Sequence, residues 1–307
     1  QKKYTVNELK PYTKYIFNIS AGTSAGFGPL ASVIERTLQT APSGPPADTL
    51  VSNFTQNEIS ITWSPPDPAE RNGVITKYSL CIAKHRESQC LTKDTLNFNQ
   101  TSYTFRNLRP YRLYDIHIKA ATMIGFGPSG IITQRTAESA PSRGPASITF
   151  PRRNSTSIFM TWSLPSKDDR NGVILQYSVC YKLQKDKDPC MPYTVTNNTW
   201  FEITGHRPHQ FFKFAIKAAT AVGFGPPSIG HQWTTQTAPD GPPTKVQTTD
   251  VQPTNITLSW QPPVPELRNG RIFSYSICLL VFNISSKRCQ RRFRSGQKKY
   301  TVNELKP

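Results

Sequence analysis

Six cysteines are the residues of this chain best suited to covalent or metal chemistry. An even number of paired cysteines is typical of disulfides formed in an oxidising compartment. Zinc is the alternative, but a structural zinc site needs four close ligands and no histidine pair accompanies these residues. We therefore predict three disulfides, whose partners are separated by 9, 10 and 11 residues: Cys81 with Cys90, Cys180 with Cys190, and Cys278 with Cys289.

Other patterns with possible chemistry are incomplete. Residues 125–130 match GxGxxG, but a proline lies inside the pattern and no helix follows to bind a phosphate. His206 and His209 lack a third metal ligand at suitable spacing. No serine is accompanied by the partners of a catalytic triad, and Arg-Gly-Asp does not occur. We expect a protein that is not an enzyme and needs no cofactor or metal.

Asn-x-Ser/Thr sequons point to the secretory pathway, as the cysteine pairs do. No run of 18 or more apolar residues occurs, and no signal peptide is present, as expected for an internal segment. We predict an extracellular glycoprotein, secreted or at the cell surface. The seven candidate glycosylation sites are Asn18, Asn53, Asn99, Asn154, Asn197, Asn255 and Asn283.

The formal net charge is +18, and its densest basic run covers residues 287–299. Elsewhere lysine and arginine are scattered, so we expect no nucleic-acid partner. In an extracellular setting, the run suits an acidic glycan or an acidic neighbouring protein surface. The alternative is a solvated strand edge whose charges prevent aggregation. The seven residues are Lys287, Arg288, Arg291, Arg292, Arg294, Lys298 and Lys299.

The landmarks of the chain recur with a period of about 98 residues. Trp63, Trp162 and Trp260 each end an apolar run, and each precedes an Arg-Asn-Gly triplet by eight residues. Residues 1–11 are identical to residues 297–307. These observations predict a domain-sized repeat in which three unlike domains form a longer super-repeat.

Pro-rich segments at residues 40–46, 139–145 and 237–243 mark the boundaries between repeats. Such linkers are semi-rigid spacers, so we expect a linear rod. The predicted domains are residues 41–138 and 139–238, each complete. Residues 1–40 are expected to be the C-terminal half of a domain, and residues 239–307 the N-terminal part of one.

Apolar and polar residues alternate in short segments with turn signals every 8 to 12 residues, which predicts an all-β sandwich of about seven strands per domain. Residues 59–63, which end at Trp63, are one such segment. Asn72 and Gly73 provide the positive φ of a turn. Tyr4, Val6 and Leu9 form a further apolar strand pattern.

Each unit resembles a fibronectin type III domain. The marks are the Pro-Pro segment, the tryptophan, the N-G-x-I-x-x-Y pattern and a Leu-x-Pro-x-x-x-Tyr corner, present as Leu108, Pro110 and Tyr114. The resemblance implies tandem seven-stranded β-sandwiches in which the corner tyrosine hydroxyl caps the backbone. One unit carries Phe212 at this position, so we expect a missing hydrogen bond there, at a cost of about 1 kcal/mol.

Fold and repeat together predict a non-catalytic structural protein, a glycosylated filament or long adhesive rod whose units contact neighbouring copies or domains. The alternative is a ligand-binding ectodomain segment of a cell-surface receptor, since the N-G-x-I-x-x-Y style resembles receptor-type tyrosine phosphatases and neural adhesion receptors. Within the filament hypothesis, we favour a continuous chain over copies that complete one another's half-domains through an open sheet edge.

Overall fold

A computed structural model describes residues 3–190, 193–280, 287–294 and 299–302, with residues 280 and 287–294 described by their backbone alone. The all-β prediction is confirmed. In the N-terminal segment the strands are β1 (Lys14–Ile19), β2 (Gly22–Thr23), β3 (Gly26–Phe27) and β4 (Ala31–Arg36). The next segment contains β5 (Ala47–Phe54), β6 (Ile59–Ser64), β7 (Lys77–Lys84), β8 (Cys90–Asn97), β9 (Ser102–Phe105), β10 (Leu113–Ala121) and β11 (Phe126–Arg135).

The same succession recurs in the rest of the chain. The third segment contains β12 (Ala146–Arg153), β13 (Ile158–Ser163), β14 (Gln176–Leu183), β15 (Thr194–Thr196), β16 (Trp200–Ile203), β17 (Phe211–Thr220), β18 (Gly223–Phe224) and β19 (Ser228–Trp233). The fourth contains β20 (Thr244–Gln252), β21 (Asn255–Gln261), β22 (Ser274–Leu280), β23 (Lys287–Arg294), β24 (Lys299–Val302) and a 3₁₀ helix at Pro265–Leu267.

The chain divides into two compact units. The first runs up to Ala140 and also includes Asn171–Val173 and Thr220–Gly223. The second begins at Pro141 and includes the other residues. Among the residues that the structure describes, no helix has the length and apolar character needed to cross a membrane.

Within the first unit, the second segment is a sandwich of two antiparallel sheets, with strand orders β5-β6-β9 and β11-β10-β7-β8. Strand β6 alternates buried and half-buried residues, so Ile59, Ile61 and Trp63 enter the core. The Trp63 ring meets the Tyr78 ring edge-on, with centroids 5.4 Å apart. Seven strands in two sheets are the number predicted from the alternation.

The second unit repeats this core. In the third segment, one sheet has the strand order β12-β13-β16. The other has the order β15-β14-β17, and β18 and β19 also pair with β17. Trp162 and Tyr177 form the same edge-on ring pair at 5.4 Å, as do Trp260 and Tyr275 in the fourth segment. In that segment, strands pair in the orders β20-β21-β24 and β22-β23.

The strand predicted from Tyr4 and Val6 is wrong for the N-terminal copy of the repeated sequence. Residues 3–7 have no regular secondary structure, and the Tyr4 side chain is 89% exposed. The identical tetrapeptide Lys299–Val302 is strand β24, which pairs with β21. The reason is the partner strand: extended backbone needs acceptors and donors alongside it to form a ladder.

The predicted loss of the corner hydrogen bond is also wrong. Tyr15 and Tyr114 cap the corner as expected, since their hydroxyls accept from the amides of Lys10 at 2.8 Å and Arg109 at 3.0 Å. Where Phe212 replaces tyrosine, the equivalent amide of Arg207 donates instead to Oε1 of Gln210 at 3.0 Å. The side chain of Gln210, two residues upstream of Phe212, thus supplies the acceptor that the tyrosine hydroxyl provides in the other segments.

Candidate functional site

The Arg-Asn-Gly triplets form the recurring polar site of this molecule. Asn72, Asn171 and Asn269 all have φ of 52°, the left-handed conformation that asparagine tolerates. The preceding arginine closes each loop, because its Nε donates to the carbonyl of a proline five residues upstream, at 2.6 to 2.9 Å. The loop therefore presents the asparagine in one fixed orientation.

At the first triplet, the asparagine binds the Pro-rich linker from both its backbone and its side chain. The carbonyl of Asn72 accepts from the amide of Thr40 at 2.9 Å, and its Nδ2 donates to the carbonyl of Ala41 at 3.3 Å. Two residues later, the amide of Val74 donates to Oε1 of Gln39 at 3.3 Å. We call this set of contacts the linker clamp.

The linker clamp recurs at the triplet that contains Asn171, whose clamp residues all belong to the first unit. The carbonyl of Asn171 accepts from the amide of Ser139 at 3.0 Å, and its Nδ2 donates to the carbonyl of Ala140 at 3.1 Å. Glu138 takes the role of the glutamine, with Oε1 accepting from the amide of Val173 at 3.2 Å.

In the second unit, the linker clamp has the same form. Asn269 accepts from the amide of Thr237 at 3.2 Å and donates to the carbonyl of Ala238 at 3.0 Å. Oε1 of Gln236 accepts from the amide of Arg271 at 2.9 Å. In every copy the side-chain amide bond spans 31 residues and the glutamine or glutamate bond spans 35 residues.

The triplet glycine leaves room for this contact. A Cβ added to Gly73 would lie 2.6 Å from Oε1 of Gln39, and one added to Gly270 would lie 2.3 Å from Oε1 of Gln236. The sequence predicts Asn-Gly only as a turn, and its contact with the linker was not predicted. The available signal was the constant spacing between each linker and the triplet that follows it.

Two cysteine pairs lie within hairpins of a single sheet. Cys81 on β7 bonds to Cys90 on β8, with Cα atoms 5.5 Å apart. Cys180 bonds to Cys190 with Cα atoms 5.9 Å apart. In the fourth segment, Cys278 lies opposite Cys289 in the ladder register, and Cys278 is disulfide-bonded. The side chain of Cys289 lies outside the described residues, so that pairing stays a prediction.

The sequon asparagines are mostly at the surface, and their glycosylation stays a prediction. Asn255 is half-buried at the start of β21, and Asn283 lies outside the described residues. The other five asparagines are exposed: Asn18, Asn53, Asn99, Asn154 and Asn197.

The basic run falls on two strands of the fourth segment. Five of its seven residues belong to the backbone of β23, and Lys299 begins β24, while Lys298 lies outside the described residues. The two strands belong to different sheets. The acidic-glycan interpretation of this run therefore stays a prediction.

A cavity of about 710 Å³, lined mostly by polar residues, lies on the outer surface of the β11-β10-β7-β8 sheet, beside the first disulfide. Asp115 accepts from His85 at 2.9 Å, from the Thr133 hydroxyl at 2.7 Å and from the Arg86 amide at 3.0 Å. These bonds, chiefly the one from His85, lower the pKa of Asp115 to about 2. The Asp115 carboxylate is therefore bonded to groups of the same sheet and the adjoining hairpin, which gives it a structural role.

The remaining candidate motifs have structural roles. Residues 125–130 enter β11 and no helix follows, as the sequence interpretation required. The His206 ring packs 4.6 Å from the Phe212 ring, and burial lowers the pKa of His206. Within residues 3–190, 193–280, 287–294 and 299–302, no group of three or more His, Cys, Asp or Glu is arranged to hold a metal.

Relatives of this chain are large proteins that it matches over a small part. It is 31% identical over 280 residues to mouse Receptor-type tyrosine-protein phosphatase F, covering 89% of this chain and 14% of that protein. It is 30% identical over 295 residues to human Phosphatidylinositol phosphatase PTPRQ, covering 92% and 12%. It is 29% identical over 313 residues to chicken Protein sidekick-1, covering 98% and 14%.

A solved structure supports the same fold. The crystal structure of chicken CNTN1 FN1-FN3 domains aligns with a TM-score of 0.50 at 19% identity, covering 87% of this chain and 90% of that one. Residues 44–136 and 139–233 each match the family described as Fibronectin type III domain. With two tandem matches and the sandwich cores described above, the chain belongs to the fibronectin type III family.

Proposed function

We propose that this chain is a non-catalytic extracellular structural segment, a glycosylated filament or long adhesive rod built of three-domain fibronectin type III super-repeats. The observation that carries this proposal is the identical recurrence of residues 1–11 at residues 297–307. Domains that only need the same fold diverge in sequence. An identical recurrence after three unlike domains is expected of a uniform array in which each unit contacts its neighbours.

The linker clamp supports the proposal because an array that bears load needs linkers that do not behave as flexible coils. Each linker is short and Pro-rich, and its backbone bonds to the triplet of the domain that follows. These bonds hold the linker backbone in one conformation and offset the conformational entropy that the linker loses when it is ordered. The two described disulfides add covalent bonds within hairpins of the same domains.

The proposed partners are neighbouring copies or domains of the same protein, the covalent N-glycans, and acidic glycans at the basic run of residues 287–299. In the proposed continuous chain, residues 239–307 are the front of a domain whose back resembles residues 1–40. The Ile16 and Ile34 side chains of residues 1–40 are 64% and 60% exposed, an apolar surface that the front of such a domain would cover.

The mass of the native protein after reduction and deglycosylation tests this proposal. A mass far above 34.5 kDa, with a ladder of fragments about one domain apart after limited proteolysis at the linkers, is the expected result. A mass near 34.5 kDa would overturn the continuous array and would leave assembly by shared half-domains.

A second candidate is a ligand-binding ectodomain segment of a cell-surface receptor. The similarity to Receptor-type tyrosine-protein phosphatase F favours it, since the match covers most of this chain and only 14% of that protein. Fractionation of the native protein distinguishes the two candidates. A receptor partitions with membranes and is released by detergent, and mass spectrometry then finds peptides of a membrane span in the same polypeptide. A filament protein is recovered without detergent.

A further inference from the structure

Four aromatic rings lie in a row on the outer surface of the second unit, three of them on β17 and β19 and the fourth, His209, in the turn before β17. The Trp233 ring stacks on His209 at 4.6 Å and on Phe211 at 4.7 Å, and Phe211 stacks on His231 at 5.7 Å. The planes are within 27° of parallel. We call His209, Trp233, Phe211 and His231 the aromatic ladder. Trp233 is 40% exposed, so the ladder is not part of the core.

The same positions in the other segments carry different chemistry. In the second segment, Arg135 lies 4.7 Å above the Tyr111 ring, and in the first, Arg36 lies 4.6 Å above Tyr12. The strand registers place Arg135 opposite Leu113 as they place Trp233 opposite Phe211. An arginine on a tyrosine is enough to cover this corner. The fold therefore does not require a row of four rings.

The surroundings of the aromatic ladder are basic. Lys213 of β17 lies opposite His231 of β19 in the strand pairing. At the corresponding positions, the second segment has Asp115 opposite Thr133, so a lysine replaces a carboxylate. Lys185 and Gln184 line a cavity of about 390 Å³ with Trp233, and none of the described residues that line it is acidic. An adjoining cavity adds Arg207 and Arg268, with Glu266 as its acidic residue.

Stacked rings cover one another's faces and leave their edges outward. Ring edges carry the positive part of the aromatic quadrupole, and the indole and imidazole N–H groups are hydrogen-bond donors. Combined with Lys213 and Lys185, this surface offers mostly donors and positive potential. Its complement is a ligand rich in acceptors and negative charge, whereas a peptide backbone presents donors and acceptors in equal number.

We propose that the aromatic ladder and its lysines form a binding site for an acidic glycan, a chain bearing sulfate or carboxylate groups. The choice of a glycan rests on the extracellular location proposed above. The site is separate in sequence from the basic run of residues 287–299. The rings and N–H groups orient the sugar units, and the ammonium groups pair with the acidic substituents.

The test uses the 307-residue chain and a size-defined heparin oligosaccharide. The variant Trp233→Arg/Phe211→Leu/His231→Thr replaces three rings of the aromatic ladder by the residues at the same positions of the second segment. The control is Trp200→Ser, which changes an exposed tryptophan of the other sheet to the residue at the same position of the second segment, Ser102. We expect the triple variant to bind about tenfold more weakly despite its added positive charge, and the control to bind as the wild type does. Calorimetry gives the affinities.

A local readout keeps the result clear even if a variant folds poorly. The indole N–H resonance of Trp233, assigned from its loss in the variant, is expected to shift when heparin is added to the wild-type chain. Heparin binding without that shift would place the binding elsewhere on this basic chain and overturn the proposal. Equal shifts with neutral dextran would also overturn it. Equal shifts with polyglutamate would replace the glycan by an acidic peptide.

Discussion

The side-chain amide of Asn269 donates a hydrogen bond to the carbonyl oxygen of Ala238 at 3.0 Å, across 31 residues of sequence. The same bond joins Asn171 to Ala140 at 3.1 Å. The left-handed backbone of these asparagines directs the amide at the linker, and the neighbouring glycine admits the side chain that completes the contact. The linker clamp is therefore a property of the Arg-Asn-Gly triplet and recurs wherever the triplet does.

Replacing Asn171 by aspartate is expected to destabilise the protein by about 1 to 3 kcal/mol, because a carboxylate cannot donate to the carbonyl of Ala140 and repels it. Arg143, 80% exposed in the same linker, should then be cleaved faster by trypsin. The control is Asn107→Asp, since Asn107 is exposed and has a similar φ of 58°. Unchanged cleavage in Asn171→Asp would contradict the linker clamp.

Gly73→Ala is expected to cost about 1 to 3 kcal/mol, because the new methyl group overlaps Gln39. Gly125→Ala is the control, since nothing lies within 4 Å of its Cβ position. Urea unfolding of single and double variants measures the coupling. In a Gln39→Gly background, which removes both Oε1 and Cβ, Gly73→Ala should cost less, with only the approach to Thr122 at 2.9 Å remaining, and equal costs in both backgrounds would refute the contact with Gln39.

The two forms of the corner are expected to respond to different substitutions. Tyr114→Phe should cost about 1 kcal/mol, since the amide of Arg109 loses its acceptor. Gln210→Ala should cost a similar amount at the corner that carries Phe212, whereas Gln210→Glu retains an acceptor oxygen and should cost less. Thermal unfolding followed by calorimetry compares the three variants. A neutral Gln210→Ala would mean that Gln210 does not replace the hydroxyl.

Asp115 should make part of the stability depend on acid pH. Its pKa is lowered from 3.8 to about 2 by hydrogen bonds from His85, Thr133 and the amide of Arg86. A carboxyl whose folded pKa is depressed stabilises the fold above its unfolded pKa, and this contribution is lost as the pH falls through the folded pKa. Asp115→Asn should therefore destabilise by about 1 to 2 kcal/mol at pH 5 to 7.

The difference in unfolding free energy between wild type and Asp115→Asn should shrink as the pH falls from about 4 to about 2. Urea unfolding at a series of pH values measures it. A difference that stays constant down to pH 2 would show that ionised Asp115 is not the stabilising form.

Removing the first disulfide with Cys81→Ser/Cys90→Ser is expected to cost about 2.5 to 3 kcal/mol by the chain-entropy estimate for a loop of this length. Chemical unfolding measures the loss, and wild type under reducing conditions serves as the comparison. The Trp63 and Tyr78 pair lies in the core away from this hairpin loop, so near-ultraviolet circular dichroism should stay native-like. Loss of that signal would indicate a wider role for the disulfide.

The sequence by itself determined the features that depend on nearby residues and on periodicity. Alternating apolar residues such as Ile59 and Ile61 predicted half-buried strands, because side chains of a strand point alternately to opposite sides. The recurring tryptophans predicted the domain-sized repeat, and the even number of paired cysteines predicted the disulfide between Cys81 and Cys90. These features need no knowledge of distant partners.

The tertiary structure decided what depends on residues far apart in the chain. Residues 3–6 and 299–302 have one sequence, yet only the second copy is a strand, because only it lies beside β21 and can exchange backbone hydrogen bonds. The fold also brings Gln210 to the amide of Arg207, where it replaces the missing tyrosine hydroxyl. It likewise brings the side chain of Asn72 to the carbonyl of Ala41, 31 residues away in the sequence. A hydrogen bond forms where the fold brings a donor to an acceptor, and local sequence does not encode that distance.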